Sequence, residues 1–351
     1  MTKKENAAGA AENVALPDFG GETAQTAERA VNPVSQDNTN GSKQGDRKRK
    51  RIWSRMKLNW QIYLMLLPVM FLYILFCYVP MYGIALAWKD YLPRYGILGS
   101  PSVGWKWFIE FFTKPNMLRA FKNTIVISLL KLVFCFPAPI LLAILLNEVK
   151  NSGYRKTLQW MMYLPYFISW VVIGGIVKQL LAHDDGLLSN IIAALGGDRR
   201  AFLQESNSFY VILILSELWK GMGWGTVIYI ASIGGIDPCL YEAATIDGCG
   251  RFGHVRYITL PSLLPIITVN FILQIGNLMN AGFDPVYNLY NDTILDKAEI
   301  LDTLVYKEAQ SARYGFSTAV GLFKNVINFA LLLSGNIITK KLNGYSMYSL
   351  D

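Results

Sequence analysis

The chain has 351 residues, of which 52% are hydrophobic and 17% are charged, and its formal net charge is +8. This composition is too apolar for an ordinary soluble protein and favours the membrane class. The positive charge does not indicate a nucleic-acid partner, because the basic residues cluster beside apolar segments instead of alternating with aromatic residues on a soluble face. The four cysteines and two histidines show no CxxC or Cys/His ligand spacing, so neither a disulfide framework nor a metal site is predicted.

The first 57 residues are predicted to form a disordered, basic cytoplasmic arm. Residues 1–46 are rich in Ala, Asn, Gly, Thr, Gln and Ser, and they contain too little apolar surface to order themselves. The basic run 47–51 is typical of a cytoplasmic anchor beside a membrane span, and a nuclear-localisation signal is the alternative. We expect no cleaved signal peptide, since the first apolar run begins about sixty residues in and is long enough to remain as a span. A transmembrane domain is therefore predicted for residues 58–351.

Long apolar runs recur through the rest of the chain, each close to the roughly 20 residues that a helix needs to cross a membrane. They are continuously apolar rather than alternating, which favours helices over strands. The sequence thus predicts an all-α, polytopic membrane protein with about six transmembrane helices. The runs lie at about 61–87, 124–146, 158–181, 209–233, 262–281 and 316–339.

The distribution of Lys and Arg predicts that both termini are cytoplasmic. If about six spans alternate, Lys150, Arg251 and Lys340 fall on the same side as the N-terminal basic run. The first segment on the opposite side is rich in aromatic residues, which are expected to form an interfacial belt, with sugar contact as the alternative. These residues are Trp105, Trp107, Phe108, Phe111 and Phe112.

A polar stretch between the fourth and fifth apolar runs predicts a helix-turn-helix. Asp237 suits an N-cap, and Pro238 suits the first helical position, where a missing N–H costs nothing. Gly248 supplies the positive φ that ends the helix. Ala243 and Ala244 give this helix a small-residue side that is suited to close approach by another surface. His254, further along, is expected to be a solvated loop residue.

The residue order of this stretch resembles the EAA loop of permease subunits of ABC-type importers. The similarity extends from about residue 60 to the C-terminus, and segments such as YLPY at 163–166 and LWKGMGWG at 218–225 resemble the branch that takes up oligosaccharides and polysaccharides. The resemblance implies a type I ABC importer permease fold, in which the loop at 237–262 is a cytoplasmic coupling helix seated in a cleft of the ATPase. The residues of this loop that match are Glu242, Ala243, Ala244, Asp247, Gly248, Ile258, Leu260 and Pro261.

Within the loop, Glu242 is expected to make a charged contact with the ATPase. The alternative is an ordinary first-turn carboxylate that complements the helix dipole. Ala243 and Ala244 would form the close-approach surface, Gly248 would be the pivot, and Asp247 would tie the helix end to the second segment.

The resemblance also implies partners. The chain would form a heterodimer with a second permease in the bacterial plasma membrane, bind two ABC ATPase subunits, and receive an oligosaccharide from an extracellular solute-binding lipoprotein. ATP and Mg would be bound by the ATPase subunits. For this chain itself we expect no cofactor and no enzymatic activity, since its sequence lacks a Walker-type glycine loop, HExxH and GxSxG.

Polar residues within the spans are the candidates for the substrate path, because they are costly in a membrane. An indole face can stack on a sugar ring, and amides can exchange hydrogen bonds with hydroxyls. In the alternative interpretation, Glu217 and Lys220 pair with each other on one helix and the asparagines join helices. The candidates are Glu217, Trp219 and Lys220 in the fourth run and Asn277 and Asn280 in the fifth.

Three other functions remain open from the sequence. An integral-membrane enzyme acting on lipid or glycan would need an acid/base pair, for which Asp184 and Asp185 are available. An adaptor that anchors a cytosolic protein through the loop would need no polar residues inside its spans. An ABC importer for a solute other than a sugar would share the loop and the spans.

Overall fold

The computed structural model describes residues 58–183, 185–199 and 201–343. The predicted N-terminal arm and Asp184 therefore lie outside the described residues. Within the described ranges the chain is helical, and the β-structure consists of one isolated antiparallel bridge between Lys89 and Ser102. The predicted all-α class is confirmed.

The chain divides into two units, residues 1–77 and 78–351. In the first unit, the helix Trp60–Tyr73 is apolar along its length, includes Pro68 and has no buried residue. A π-helical turn at Ile74–Tyr78 follows. The second unit begins with a 3₁₀ segment at Val79–Trp88 and contains all the other helices.

Among the described residues, five helices are long and apolar enough to cross a membrane, and a bent helix pair is a sixth candidate. This agrees with the predicted number of about six. They are named spans 1 to 6 in chain order: Trp60–Trp88, Pro115–Asn147, the bent pair Ser152–Phe167 and Trp170–Leu180, Ser206–Gly234, Arg251–Gly276 and Tyr314–Lys341.

Span 3 corresponds to the apolar run at about 158–181, in which Pro165 is predicted to kink or interrupt the helix. Its first helix, Ser152–Tyr163, tightens into a 3₁₀ turn around Pro165, and the second helix leaves at a bend of 97°. Proline lacks the N–H that would continue the helix. Ser169 then starts the second helix by accepting the N–H of Val172 at 3.4 Å. The interruption predicted at Pro165 is confirmed, whereas the size of the bend was not predicted.

Span 5 begins eleven residues earlier than the predicted 262 and ends at Gly276 rather than 281. The polar residues Arg251–His254 are already helical, and a π-helical turn at Val255–Thr259 joins them to Leu260–Gly276. The second half of the predicted helix-turn-helix is thus the base of span 5.

Shorter helices connect the spans, and span 2 itself consists of Pro115–Phe134 and Pro137–Asn147. The helix of span 6 continues to Asn343. The connecting helices lie at Gly96–Gly99, Lys106–Thr113, Leu187–Ala194, Phe202–Gln204, Pro238–Ile246, Phe283–Leu289, Asp292–Ile294, Leu295–Ala298 and Leu301–Gln310.

The aromatic segment after span 1 is only in part an exposed belt. Trp107 and Phe111 are buried in a core cluster with Phe316 of span 6, and the Trp107 indole N–H donates to the Lys89 carbonyl at 3.0 Å. Trp105 remains exposed. Sequence periodicity could not assign these rings to a core, because a large part of their cover, such as Phe316, lies about two hundred positions away in the chain.

A network of charges fastens this segment to the start of span 6. Arg313 donates to Glu110 at 2.5 Å and to Glu308 at 2.7 Å, and its guanidinium lies 4.8 Å from the centre of the Phe316 ring. Burial alone would raise the pKa of Glu110, but hydrogen bonds and charge interactions with Lys114 and Arg313 outweigh burial and lower that pKa. The ionised form of Glu110 therefore stabilises the fold.

Replacing Glu110 with Gln is expected to destabilise the protein by about 1–2 kcal/mol at neutral pH and by less in acid. A carboxylate with a lowered folded pKa stabilises the native state above its unfolded pKa of about 4.3, and this contribution disappears as the pH falls through the folded value. Thermal unfolding of both proteins at neutral and acid pH measures the difference. A gap between them that is as large in acid as at neutral pH would contradict the assignment.

Candidate coupling loop and substrate cavity

The predicted helix of the loop forms at Pro238–Ile246. The Asp237 carboxylate accepts the backbone N–H of Cys239 at 3.0 Å, and Pro238 occupies the first turn, as its chemistry predicts. No residue of this helix is buried. The Glu242 side chain is exposed and is therefore accessible to a partner.

The helix ends at Gly248, which has a φ of +81°. The Cys249 N–H donates to the Ala244 carbonyl at 2.8 Å, and the Gly248 N–H donates to the Thr245 carbonyl at 3.1 Å. These two bonds form a Schellman cap, which satisfies the last carbonyls of the helix. The positive φ predicted for Gly248 is confirmed.

Two side-chain contacts join the loop helix to the base of span 5, and we call them the brace. The Tyr241 hydroxyl lies 2.9 Å from the Thr259 hydroxyl, and the Thr245 hydroxyl lies 3.3 Å from Nε2 of His254. The Tyr241 and His254 rings also meet edge to face at 5.7 Å. His254 is thus half-buried rather than a solvated loop residue. Sequence reasoning missed both contacts and expected Asp247 to make the connection.

The rest of the loop presents apolar side chains to solvent. Ile246 is 86% exposed, and Phe252 and Tyr257 are 78% and 71% exposed. Of the matching residues at the base of span 5, Ile258 is half-buried, whereas Leu260 and Pro261 are exposed. Large apolar side chains left exposed on a polar loop are typical of a surface that binds another protein.

A cavity of about 640 Å³ lies among spans 2, 4 and 5. Span 4 contributes most of its wall, and Glu217 is the one sequence candidate for the substrate path that lines it. Sequence reasoning missed the two amides on span 5, which lie four residues apart and so on one face of the helix. The charged, amide and aromatic side chains that line the cavity are Phe136, Glu217, Trp224, Tyr229, Asn270 and Gln274.

Glu217 and Lys220 bind different parts of the protein instead of each other. Glu217 forms an ion pair with Lys131 of span 2 at 2.5 Å. Lys220 donates to the carbonyls of Tyr166, at 2.8 Å, and Ile168, and its ammonium lies 5.6 Å from the ring of Trp170. Lys220 thereby satisfies carbonyls that the break in span 3 leaves without helical partners.

The other three candidates lie away from the lining of this cavity. Trp219 is 47% exposed. The Asn277 amide donates to the Leu273 carbonyl of its own helix at 3.0 Å, and the Asn280 amide donates to the Asn277 side chain at 3.1 Å. The contacts of these two asparagines are therefore local and do not join helices.

Asp185, one of the two carboxylates considered for an enzyme, is exposed. Among the residues that the structure describes, no three His, Cys, Asp or Glu side chains are grouped so as to hold a metal ion.

Comparisons with known proteins agree with this arrangement. Residues 135–344 match the family described as the binding-protein-dependent transport system inner membrane component. The chain is 42% identical over 302 residues to the polygalacturonan/rhamnogalacturonan transport system permease protein YteP of Bacillus subtilis (strain 168), covering 86% of this chain and 94% of that protein. It is also 37% identical over 294 residues to protein LplB of the same organism, covering 84% and 92%.

A solved structure is similar as well. It is a bacterial ABC transporter involved in the import of the acidic polysaccharide alginate, with a TM-score of 0.77 and 36% identity over 84% of this chain and 99% of that chain. The family match covers more than half of the chain and includes the loop, its cap and its brace. This chain therefore belongs to the family of inner-membrane components of binding-protein-dependent transport systems.

Proposed function

We propose that this chain forms part of the membrane passage of an ATP-driven importer for oligosaccharides or polysaccharide fragments. The observation that carries the proposal is the cavity among spans 2, 4 and 5, where amides, a carboxylate and aromatic rings line about 640 Å³. Such a mixture of few polar groups and ring faces suits a sugar, whose hydroxyls form hydrogen bonds and whose ring stacks. The names of YteP and of the alginate importer support a carbohydrate cargo.

The proposed assembly contains a second permease, two ATPase subunits and an extracellular solute-binding protein. The solute-binding protein is supported by a solved structure of the alginate transporter in complex with an alginate pentasaccharide-bound periplasmic protein. The matched chain of that structure is 36% identical to this chain. The exposed loop helix Pro238–Ile246 is the surface for an ATPase, with Glu242 as its charged contact. In this proposal the loop between spans 4 and 5 lies on the cytoplasmic side, and six alternating spans would then put both chain termini on that side as well.

Coupling would be mechanical. When ATP closes the two ATPases, the docked loop helix moves with them, and the brace passes the movement to the base of span 5. Asn270 and Gln274, further along span 5, line the cavity, so their positions would change with nucleotide state. Each nucleotide and cargo state must favour one arrangement through its differential binding energy.

Reconstitution of the whole complex in liposomes tests the proposal. Oligosaccharides delivered by the binding protein are expected to stimulate ATP turnover and to accumulate inside. Glycerol 3-phosphate and an amino acid mixture serve as control solutes. Stimulation by a control solute, with no response to any of a panel of plant and algal oligosaccharides, would overturn the sugar cargo.

The two tryptophans of span 4 lie on different faces of that helix, so replacing each of them tests which face the substrate contacts. Trp224 lines the cavity and stacks on Tyr166 at 4.8 Å with an interplanar angle of 9°, whereas Trp219 lies outside the lining. Their exposed fractions are similar, 44% and 47%. We expect Trp224→Ala to lower uptake up to about tenfold, the size of a lost aromatic contact, and to exceed the effect of Trp219→Ala. If Trp219→Ala lowers uptake as much as Trp224→Ala or more, the substrate path lies on the other face of span 4. If Trp219→Ala leaves the uptake rate and the substrate selectivity unchanged, Trp219 is not part of the path.

A further inference from the structure

We propose that Lys131 and Glu217 form an exchangeable ion pair that recognises a carboxylate on an acidic oligosaccharide. Glu217 occupies Lys131 while the cavity is empty, and a uronate carboxylate takes its place during passage. The inference rests on the proposed function, and it assigns the charge of the cargo and the residues that detect it.

One member of the pair, Glu217, lies in the wall of the cavity, and Lys131 is bound to it from beside the lining. The Lys131 ammonium is 2.5 Å from Oε1 of Glu217, and the two side chains are 12% and 22% exposed. Glu217 lines the cavity, and so does Cys135, which lies one helical turn after Lys131 on the same face of span 2. Lys131 is therefore next to the cavity, with Glu217 as its partner there.

Stability alone gives little reason for such a pair. Desolvation of two charges in an apolar region offsets much of their attraction, and apolar side chains of similar volume often stabilise a fold as well. Ionisable residues within membrane spans accordingly mark substrate paths more often than packing. The position of the Lys131–Glu217 pair beside the cavity therefore indicates that a ligand binds to one of these charges.

A carboxylate-bearing sugar fits this requirement. It can replace Glu217 on Lys131 one carboxylate for another, so the number of charge-assisted hydrogen bonds at the ammonium is conserved. Glu217, once released, faces a cavity of about 640 Å³ that can hold water around it. A neutral hydroxyl offers a weaker bond than the carboxylate it would displace, so a neutral sugar leaves the pair closed.

The backbone after span 5 closes against the same pair. Gly282 has a φ of +93°, and a Cβ at this position would lie 2.5 Å from the Lys131 ammonium and 3.5 Å from Oε1 of Glu217. The pair thus touches spans 2 and 4 and the segment that leads into the helix Phe283–Leu289. A change of partner at Lys131 would therefore alter contacts of span 2, of span 4 and of the segment after span 5.

A second ion pair provides a matched control. Lys324 of span 6 pairs with Asp302, and these side chains are 13% and 19% exposed, close to the values for Lys131 and Glu217. Neither residue lines the cavity. A general effect of removing a half-buried ion pair would therefore appear in both pairs, whereas recognition of a carboxylate would appear in one.

The experiment uses the complete complex in liposomes, with its own binding protein. The cargoes are the trisaccharides of galacturonate and of mannuronate, each compared with its carboxyl-reduced neutral form. The ratio of acidic to neutral uptake is measured for the wild type, for Lys131→Met with Glu217→Gln, and for Lys324→Met with Asp302→Asn. Because the same binding protein serves every variant, its own preference cancels when the ratios are compared.

We expect the wild type to favour the acidic trisaccharide, and the change at Lys131 and Glu217 to lower the ratio about tenfold or more, the size of one hydrogen bond to a charged group. The control pair should leave the ratio unchanged. Glu217→Gln alone leaves Lys131 without its carboxylate partner and should raise the ratio of acidic to neutral uptake. This single variant still tests the inference if the double variant folds poorly. An unchanged ratio in the Lys131 variant, or a wild type that imports neutral trisaccharides equally well, overturns the inference and leaves sugar import standing. A wild type that imports other oligosaccharides of the panel but neither acidic trisaccharide also overturns the inference alone. If it imports no oligosaccharide at all, the proposed function fails together with the inference.

Discussion

A complex that carries Gly248→Val is expected to insert into the membrane normally and to lose ATP-driven uptake. Gly248 has a φ of +81°, and a residue with a side chain pays about 1–2 kcal/mol in this left-handed region, with β-branched residues at the upper end. That penalty opposes the two hydrogen bonds of the Schellman cap and shifts the loop helix relative to its brace. We expect uptake to fall about tenfold or more, while the amount of permease in the membrane stays the same.

Gly250→Val is the matched control for this prediction. Gly250 lies in the same loop with a φ of −80° and a ψ of 174°, an extended conformation that β-branched residues adopt readily, and a Cβ there would meet nothing within 4 Å. Labelled cargo uptake and ATP turnover are measured for both variants, together with the quantity of complex in the membrane. Robust uptake by the Gly248→Val complex would show that the cap plays no part in coupling.

The second large effect is expected from Gly223→Ala, which should destabilise the folded permease by about 3 kcal/mol. A Cβ at Gly223 would lie 2.0 Å from the backbone carbonyl oxygen of Met162, so spans 3 and 4 are in backbone contact at this point. Neither backbone can move aside without separating the two helices. The midpoint of thermal unfolding in detergent is expected to fall by on the order of 5 °C.

Gly221→Ala controls for the helix propensity of alanine, since Gly221 lies two residues away on the same helix and a Cβ there would meet nothing within 4 Å. Its unfolding midpoint should equal or slightly exceed that of the wild type. Equal midpoints for Gly223→Ala and Gly221→Ala would contradict the close approach of the two spans.

Local chemistry made the loop predictable from sequence. Asp237, Pro238 and Gly248 each have a side-chain property that acts within a few residues, so the start and the end of the loop helix followed directly. The number of spans followed for a similar reason, because a helix that crosses a membrane needs a long apolar run. Pro165 likewise predicted an interruption in span 3, but not the size of the bend, which also involves carbonyls that Lys220 satisfies from another helix.

The side chains that line the cavity could be predicted only in part, because their contacts join parts of the chain that are distant in sequence. Glu217 and Lys220 lie three residues apart, which favoured pairing on one helix. The actual partner of Glu217 is 86 positions away in the sequence, and no local pattern points to it. Asn270 and Gln274 were detectable as amides on one helical face, but only the packing of spans 2, 4 and 5 shows that this face lines a cavity.

The brace has a mechanical consequence. Because Tyr241 and Thr245 hold Thr259 and His254, the loop helix and the foot of span 5 resist shearing past each other. Span 5, from this base at Arg251 to Gly276, is helical over 26 residues, a length of about 39 Å at 1.5 Å per residue. In the proposed assembly, a small tilt imposed at the base of span 5 would be magnified along that length, so a displacement too slight to disturb a docked ATPase would still open or close the far end.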